Sequence, residues 1–168
     1  MIEPKQLRIM IALTDHIAGM SKAGGYRYDL AGSVFRGKGA FSEQPVPFIS
    51  ILESTRTDPR PAEGGDEKLR RVERWELLVQ GWAKAERDTP TDELYRLKAE
   101  VERRIAEVIS QKPDHSYDPI LYRLQRMIVG LQIGPGIVRA ATPQPGGVEA
   151  FYLPVTIRYA INVADPYE

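Results

Sequence analysis

The sequence predicts an α+β protein: a mostly antiparallel β-sheet flanked by two main helices, at about residues 4–22 and 90–110. Three observations predict it. Val72 to Ala83 alternates, with Trp75, Leu77, Val79, Gly81 and Ala83 on one side and Arg74, Glu76, Leu78, Gln80 and Trp82 on the other. A period of two places successive side chains on opposite faces of a strand, so the first set should face a core. Tyr152 to Val163 alternates in the same way, with Leu153, Val155, Ile157, Tyr159 and Ile161 on one side. Between these strands Leu94, Leu97, Val101, Ile105 and Val108 recur at spacings of three and four, which makes one apolar helical stripe. A long strand and a long amphipathic helix bury their apolar sides against each other.

The remaining elements follow in chain order. Pro4 suits a first helical turn, and Leu7, Met10, Leu13, Ile17 and Met20 recur at helical spacing. Gly24 and Gly25 end this helix, because glycine accepts the left-handed C-cap conformation without steric cost. The stripe reads as core packing, with a partner-binding helix as the sharper alternative. Val34 to Arg36 reads as a short strand and Gly37-Lys38-Gly39 as a turn. Neither the P-loop spacing nor the dinucleotide fingerprint is present there. Pro47 to Ser54 reads as a strand apolar on both sides, hence central and covered twice. Thr55 to Arg71 combines charge, proline and glycine, which predicts a long excursion between two neighbouring strands. It reads either as a solvated hairpin tip or as an arm reaching a neighbouring subunit.

Thr89-Pro90-Thr91-Asp92 reads as a hydroxyl cap, a proline at the first helical position and an acid three residues after the cap. Lys112-Pro113-Asp114 stops that helix near Ser110. Glu100, Arg103, Arg104 and Glu107 read as its solvated face. Pro119 to Gln125 allows a helical turn before a strand at Met127 to Ile133, and Gly134-Pro135-Gly136 breaks that strand. Ile137 to Ala141 and Val148 to Phe151 read as a hairpin with its tip at Thr142 to Gly147. No internal repeat or linker stands out, so residues 1–168 are assigned to one domain.

Composition narrows the function classes. Lys plus Arg and Asp plus Glu each number 23, so the formal net charge is zero. A general nucleic-acid binder should show excess positive charge, so no nucleic-acid binding is predicted. A neutral surface favours association between copies. There is no cysteine, which excludes disulfides, thiolate metal sites and cysteine nucleophiles. No apolar run is long enough to cross a bilayer as a helix, and the start lacks the layout of a secretory signal. The expectation is a protein made and used in the cytoplasm, with no membrane partner.

Chemistry-bearing patterns are sparse. Serine catalysis needs a base within reach, and the chain has only His16 and His115 and no Gly-x-Ser-x-Gly turn. His16 falls on the first helix and reads as structural. Asp114-His115-Ser116-Tyr117-Asp118 offers two carboxylates and an imidazole, but not the spacing of known metal motifs, and reads as a polar turn. Nothing marks out two of the acids as a catalytic pair. No catalytic, metal or cofactor residue is therefore assigned, and the balance moves from catalysis to assembly. A small hydrolase or ligand-binding domain stays as the alternative from another class, and it would need a deep pocket around His16 or His115.

A Phe-Ile-Ser-Ile-Leu strand and a charged loop follow the first helix. Then come a Trp-Glu-Leu-Leu-Val-Gln-Gly-Trp strand, a helix opening with Pro-Thr-Asp-Glu-Leu, and a closing Leu-Pro-Val-Thr-Ile-Arg-Tyr strand with Asp-Pro-Tyr beyond it. That order, from about residue 4 to 166, resembles the tail-terminator (tail-completion) proteins of long-tailed bacteriophages. The resemblance rests on element order and on Val72 to Leu97 and Tyr152 to Tyr167. It implies a non-catalytic structural protein of the virion, at the neck of the tail. Such a protein forms a homohexameric ring that caps the tail tube, ends elongation and presents a surface for the head. The implied partners are other copies of the chain, the tail tube protein and a head-tail connector protein. A head-tail connector or other minor neck protein is the nearest alternative. A ring is built from heterologous contacts that close on themselves, and mixed charges of both signs suit such complementarity. The candidate contact residues lie in loops: Lys38, Asp58, Arg60, Asp66, Glu67, Lys68 and Gln144.

Overall fold

A computed structural model describes residues 3–39, 45–54, 69–139 and 147–168. Its elements in chain order are helix α1 (Lys5–Ala18), strands β1 (Val34–Arg36), β2 (Phe48–Glu53) and β3 (Arg70–Lys84), helix α2 (Asp92–Ala106), a short turn α3 (Arg123–Arg126), and strands β4 (Gly130–Ile133), β5 (Ile137–Arg139) and β6 (Val148–Asn162). The sheet runs β1-β2-β3-β6-β4, with β5 also on β6, and every pair except β1-β2 is antiparallel. The predicted α+β class with a mostly antiparallel sheet is what forms.

The frame is the β3-β6 ladder. Arg70 pairs with Asn162 and the register runs unbroken to Lys84 with Val148. Directly opposed residues share a face, so Trp75, Leu77, Val79 and Ala83 lie beside Ile157, Val155, Leu153 and Glu149. The apolar members of that face join Ile49 and Ile51 of β2 in one core. Ile9, Leu13 and Ile17 of α1 and Leu94, Leu97, Val101 and Ile105 of α2 complete it. Both main helices therefore cover the same side of the sheet. Gly81 is required where β2, β3 and β6 meet, since a β-carbon there would drive into the Phe151 ring and approach Ile49 Cδ1 at 2.8 Å.

Several boundaries differ from the sequence reading. The first helix ends at Ala18 rather than at residue 22, with Gly19 as C-cap. The Met20 N–H bonds Ile17 O, and the chain turns inward so that Met20 is still fully buried. A 3-10 turn, Lys22–Gly24, follows and ends on Gly25 at φ 83°. The second helix begins at Asp92, capped from Thr91 without a side-chain bond. Thr89 instead donates its hydroxyl to Glu86, so the anticipated hydroxyl cap is absent. Asp92 and Glu93 in the first turn and Arg103 and Arg104 at the end still complement the helix dipole. Beyond Ala106 the chain tightens into bonds three residues apart through Ser110, which keeps Val108 buried.

The stretch before β4 is less regular than expected. Arg123, Leu124, Gln125 and Arg126 all have positive φ, between 49° and 64°. Left-handed backbone costs roughly 1–2 kcal/mol per residue outside glycine, so α3 is a strained left-handed turn. Its bonds, Met127 N–H to Leu124 O and Ile128 N–H to Arg123 O, delay the strand to Gly130.

β4 and β5 are one edge strand interrupted by a bulge. Ile133 pairs with Val155 and Ile137 with Tyr152, so three residues, Gly134-Pro135-Gly136, oppose two on β6. The extra residue restores the pattern after a parity change: Leu131 and Ile133 face the core before it, Val138 after it. The bulge also accommodates Pro154, a proline inside a central strand. Pro154 O accepts from Gly134 N at 2.8 Å, and the N and O of one strand residue point to the same neighbour. The missing N–H of Pro154 thus faces the interrupted ladder and not β3.

Candidate functional site

The second side of the sheet has a different character. By register it carries Phe35 of β1, Phe48, Ser50 and Leu52 of β2, and Arg74, Glu76, Leu78, Gln80, Trp82 and Lys84 of β3. It continues through Ala150, Tyr152, Pro154, Thr156 and Arg158 of β6 to Gln132 of β4 and Ile137 and Arg139 of β5. None of these belongs to the helix-covered core. At one end Phe48 and Trp82 stack at 4.5 Å between ring centroids, with Phe35 edge-on to Phe48 at 5.9 Å. Phe48, Ser50, Gln80 and Trp82 are buried on this side, so β2 is covered on both faces there; beyond them Leu52, Leu78 and Tyr152 are half-buried, Pro154 is exposed, and Ile137 is 56% exposed.

Charge on this open side is mostly basic. Arg158 stands directly opposite Arg74, an arrangement of like charges that costs stability in a ladder. Glu76 bonds Arg74 at 3.1 Å, and at the far end of the ladder Glu168 accepts from Arg70 at 3.0 Å and from Asn162 at 3.0 Å. Arg139 lies over the Tyr152 ring at 5.8 Å and Lys38 Nζ over the Phe35 ring at 3.8 Å.

Of the loop residues singled out in the sequence, Lys38 sits at the β1 end of this face, its backbone N–H bonded to Ser50 Oγ at 3.1 Å. Asp58, Arg60, Asp66, Glu67, Lys68 and Gln144 lie outside the described residues. The sequence reading missed Arg139, Tyr152 and Arg158. The available signal was the second side of the Val72–Ala83 strand, which holds Leu78 and Trp82 where a solvated face would be polar.

On the helix side the charged residues are structural. Glu93 and Glu100 of α2 and Glu107 at its C-cap stand seven residues apart and hold the 26–28 segment. Tyr26 donates to Glu107, Arg27 N–H to Glu100 at 2.8 Å, and Tyr28 OH to Glu93 at 2.7 Å. The face read as solvated is thus largely engaged. Burial opposes ionisation of Glu93, but the bonds from Tyr28 and Arg96 and the Arg27 charge outweigh it, and its carboxyl titrates below the usual range. Burial and the bond to Glu93 push the Tyr28 hydroxyl well above its ordinary value.

The two histidines lie on different elements, His16 on α1 and His115 in the turn after α2. His16 Nε2–H donates to Arg104 O at 2.6 Å, which assigns the Nε2 tautomer, and burial lowers its pKa. A cleft of about 500 Å³ lies beside it, lined by Arg8, Ile11 and Asp15 of α1 and by Ile120, Leu124 and Met127 across the way. His115 sits in a turn at φ 63°. Its neighbouring acids are consumed locally: Asp114 accepts from Ser116, and Asp118 from the Ile120 and Leu121 N–H groups. Among the described residues no three His, Asp or Glu side chains converge on a possible metal position, and no helix is long and apolar enough to cross a membrane.

Among the described residues three buried polar atoms have no hydrogen-bond partner: Trp75 Nε1, Gln80 Oε1 and Glu149 Oε2. They do not form one site. Gln80 is on the open side, while Trp75 and Glu149 face the helices. In ladder positions Trp75 stands opposite Ile157 and Glu149 opposite Ala83, about 27 Å apart at the rise of a strand. Burial pushes the Glu149 carboxyl up.

No protein-family model matches the chain, and no curated protein matches it.

Proposed function

We propose that the chain is a structural subunit that assembles with copies of itself into a ring capping a phage tail tube, ending tube growth and offering a surface to the head. The phage assignment comes from the order of elements and from the Val72–Leu97 and Tyr152–Tyr167 stretches. The observation that carries the assembly reading is the one-sided layering. Among the described residues two helices cover one side of the β3-β6 frame, and the other, beyond the buried Phe48, Ser50, Gln80 and Trp82, presents Leu52, Leu78, Tyr152, Pro154 and Ile137 with an arginine-rich rim. Large uncovered apolar patches on a folded chain mark contact surfaces. The test is to add the purified chain to tail tube protein as it polymerises. A terminator stops growth and is seen at one tube end. A chain that instead binds portal protein and leaves tube length unchanged is a head-tail connector.

A ligand-binding reading draws on the cleft beside His16, whose apolar lining carries Arg8 and Asp15 at its edge. Its pocket would give a small-molecule thermal shift that Ile11→Trp removes.

A further inference from the structure

We propose that the cleft along α1 receives α1 of a second copy of this chain, the two helices antiparallel about a two-fold axis between Ile11 and Ala12. The inference goes beyond the ring reading, which needs a separate head-to-tail contact, and neither depends on the other.

The first argument is position. Ile9, Met10, Leu13 and Ile17 turn one side of α1 into the core. Arg8, Ile11, Ala12 and Asp15 fall on a different stripe of the helix, and all four line the cleft. Ile11 is only half-buried there. Across the cleft Ile120 is 73% exposed, the most of any large apolar side chain among the described residues, with Leu121 and Met127 half-buried beside it. Clustered apolar groups that a single chain leaves in water mark a contact surface.

The second argument is charge. Arg8 and Asp15 are the two charged residues of the lining, and the His16 ring is already engaged by Arg104 O. Seven residues set Arg8 and Asp15 about 10 Å apart along the helix, too far to pair with each other. Arg8 gives one N–H to Tyr167 O at 3.0 Å, which leaves further donors on its guanidinium. The Asp15 carboxylate is exposed and has no ion-pair or hydrogen-bond partner among the described residues. A two-fold axis between Ile11 and Ala12 places Arg8 against the second copy's Asp15, and Asp15 against the second copy's Arg8. The same operation sets Ile11 against the second copy's Ala12, a large side chain against a small one. No other register of this stripe forms both ion pairs at once. A surface that complements itself in this way makes an isologous contact.

The third argument is size and shape. Helix α1 has 14 residues and is about 21 Å long. With the 120–127 wall the surface is about 20 Å across, two helix widths, or roughly 400 Å² per copy in plan. That is about half the ~800 Å² per partner of a standard interface, so the contact is weak and concentration-dependent. The zero net charge does not oppose it. A cleft open along a helix suits a second helix better than a small molecule, which needs enclosure over most of its surface.

Sedimentation velocity of the full chain over a range of concentrations, without tube protein, reads the contact. The natural chain gives two-copy species that dissociate on dilution. Arg8→Glu and Asp15→Arg each set like charges opposite one another twice, and each weakens association about tenfold or more. An equimolar mixture of the two variants restores two-copy species, because unlike charges then face each other across the axis. The double variant restores them as well. Mixing does not repair a misfolded chain, so recovery in the mixture identifies the contact. A natural chain that stays single at every concentration overturns the proposal. Two-copy species that both variants leave unchanged, or that mixing fails to restore, overturn it too. Larger species with no two-copy stage also overturn it but leave the ring reading standing.

Discussion

His16 and Arg104 exchange backbone bonds across the contact between α1 and α2. The imidazole donates to Arg104 O at 2.6 Å, and Arg104 Nε donates to His16 O at 2.8 Å. The guanidinium also bonds Glu107 at 2.8 Å, and Glu107 takes the Tyr26 hydroxyl. Two helices remote in sequence are thus joined at the C-terminal end of α1, where His16 O also accepts the Gly19 N–H at 3.3 Å. Lysine keeps the charge but cannot reproduce the planar fork. Arg104→Lys is expected to lower unfolding free energy by about 1–2 kcal/mol, read as a shift in urea midpoint at constant slope.

The same contact sets a pH dependence. Burial lowers the His16 pKa, so the folded chain holds the ring neutral while the unfolded chain takes up a proton near the ordinary value of 6.5. The unfolded state binds more protons in that interval, and acid favours it. The His16 contribution is complete above pH 6.5 and is lost as pH falls through the depressed value. Thermal unfolding at pH 7.5 and 5.5 should show a larger loss for the natural chain than for His16→Gln. Equal losses would show that the ring is not held neutral.

Gly81 permits the close approach of Phe151 and Ile49 at the junction of three strands. Gly81→Ala inserts a methyl group into a packed core with rigid neighbours, and overpacking of this kind costs about 1–3 kcal/mol. A fall in melting temperature of several degrees is expected, relieved in part by Phe151→Leu. Additive effects of the two substitutions would contradict the contact.

Gln80 Oε1 is buried without a partner. Replacing an unsatisfied amide by an apolar side chain of similar length removes its desolvation penalty, so Gln80→Met should gain about 1 kcal/mol. Chemical denaturation checks this directly, and a loss of stability would mean that the amide is bonded in solution.

Much of the frame was legible in the sequence because alternation reports a face directly. Trp75, Leu77, Val79 and Ala83 are buried as their spacing implied, as are Leu153, Val155, Ile157 and Tyr159. The single run of β6 was less legible. Val148 to Phe151 and Tyr152 to Val163 read as two strands, whereas the bulge at Gly134-Pro135-Gly136 lets one strand pass through. The Thr89 cap failed because a hydroxyl can bond a nearby carboxylate as readily as a helix amide, and Glu86 takes it. The left-handed turn at Arg123–Arg126 carries no glycine to announce it. Lys38, singled out from its loop, lies at the β1 end of the candidate surface, whereas Arg158, Arg139 and Tyr152 become neighbours only through pairing of β6 with β3 and β5.

The oligomeric state of the 18.9 kDa chain in the presence of tail tube protein tests the central claim most directly. Native mass spectrometry of the capped tube end, released from the tube, should give one closed species of six copies, with tubes held at fixed length. A chain that remains single at every concentration and leaves tube growth unchanged would contradict the account.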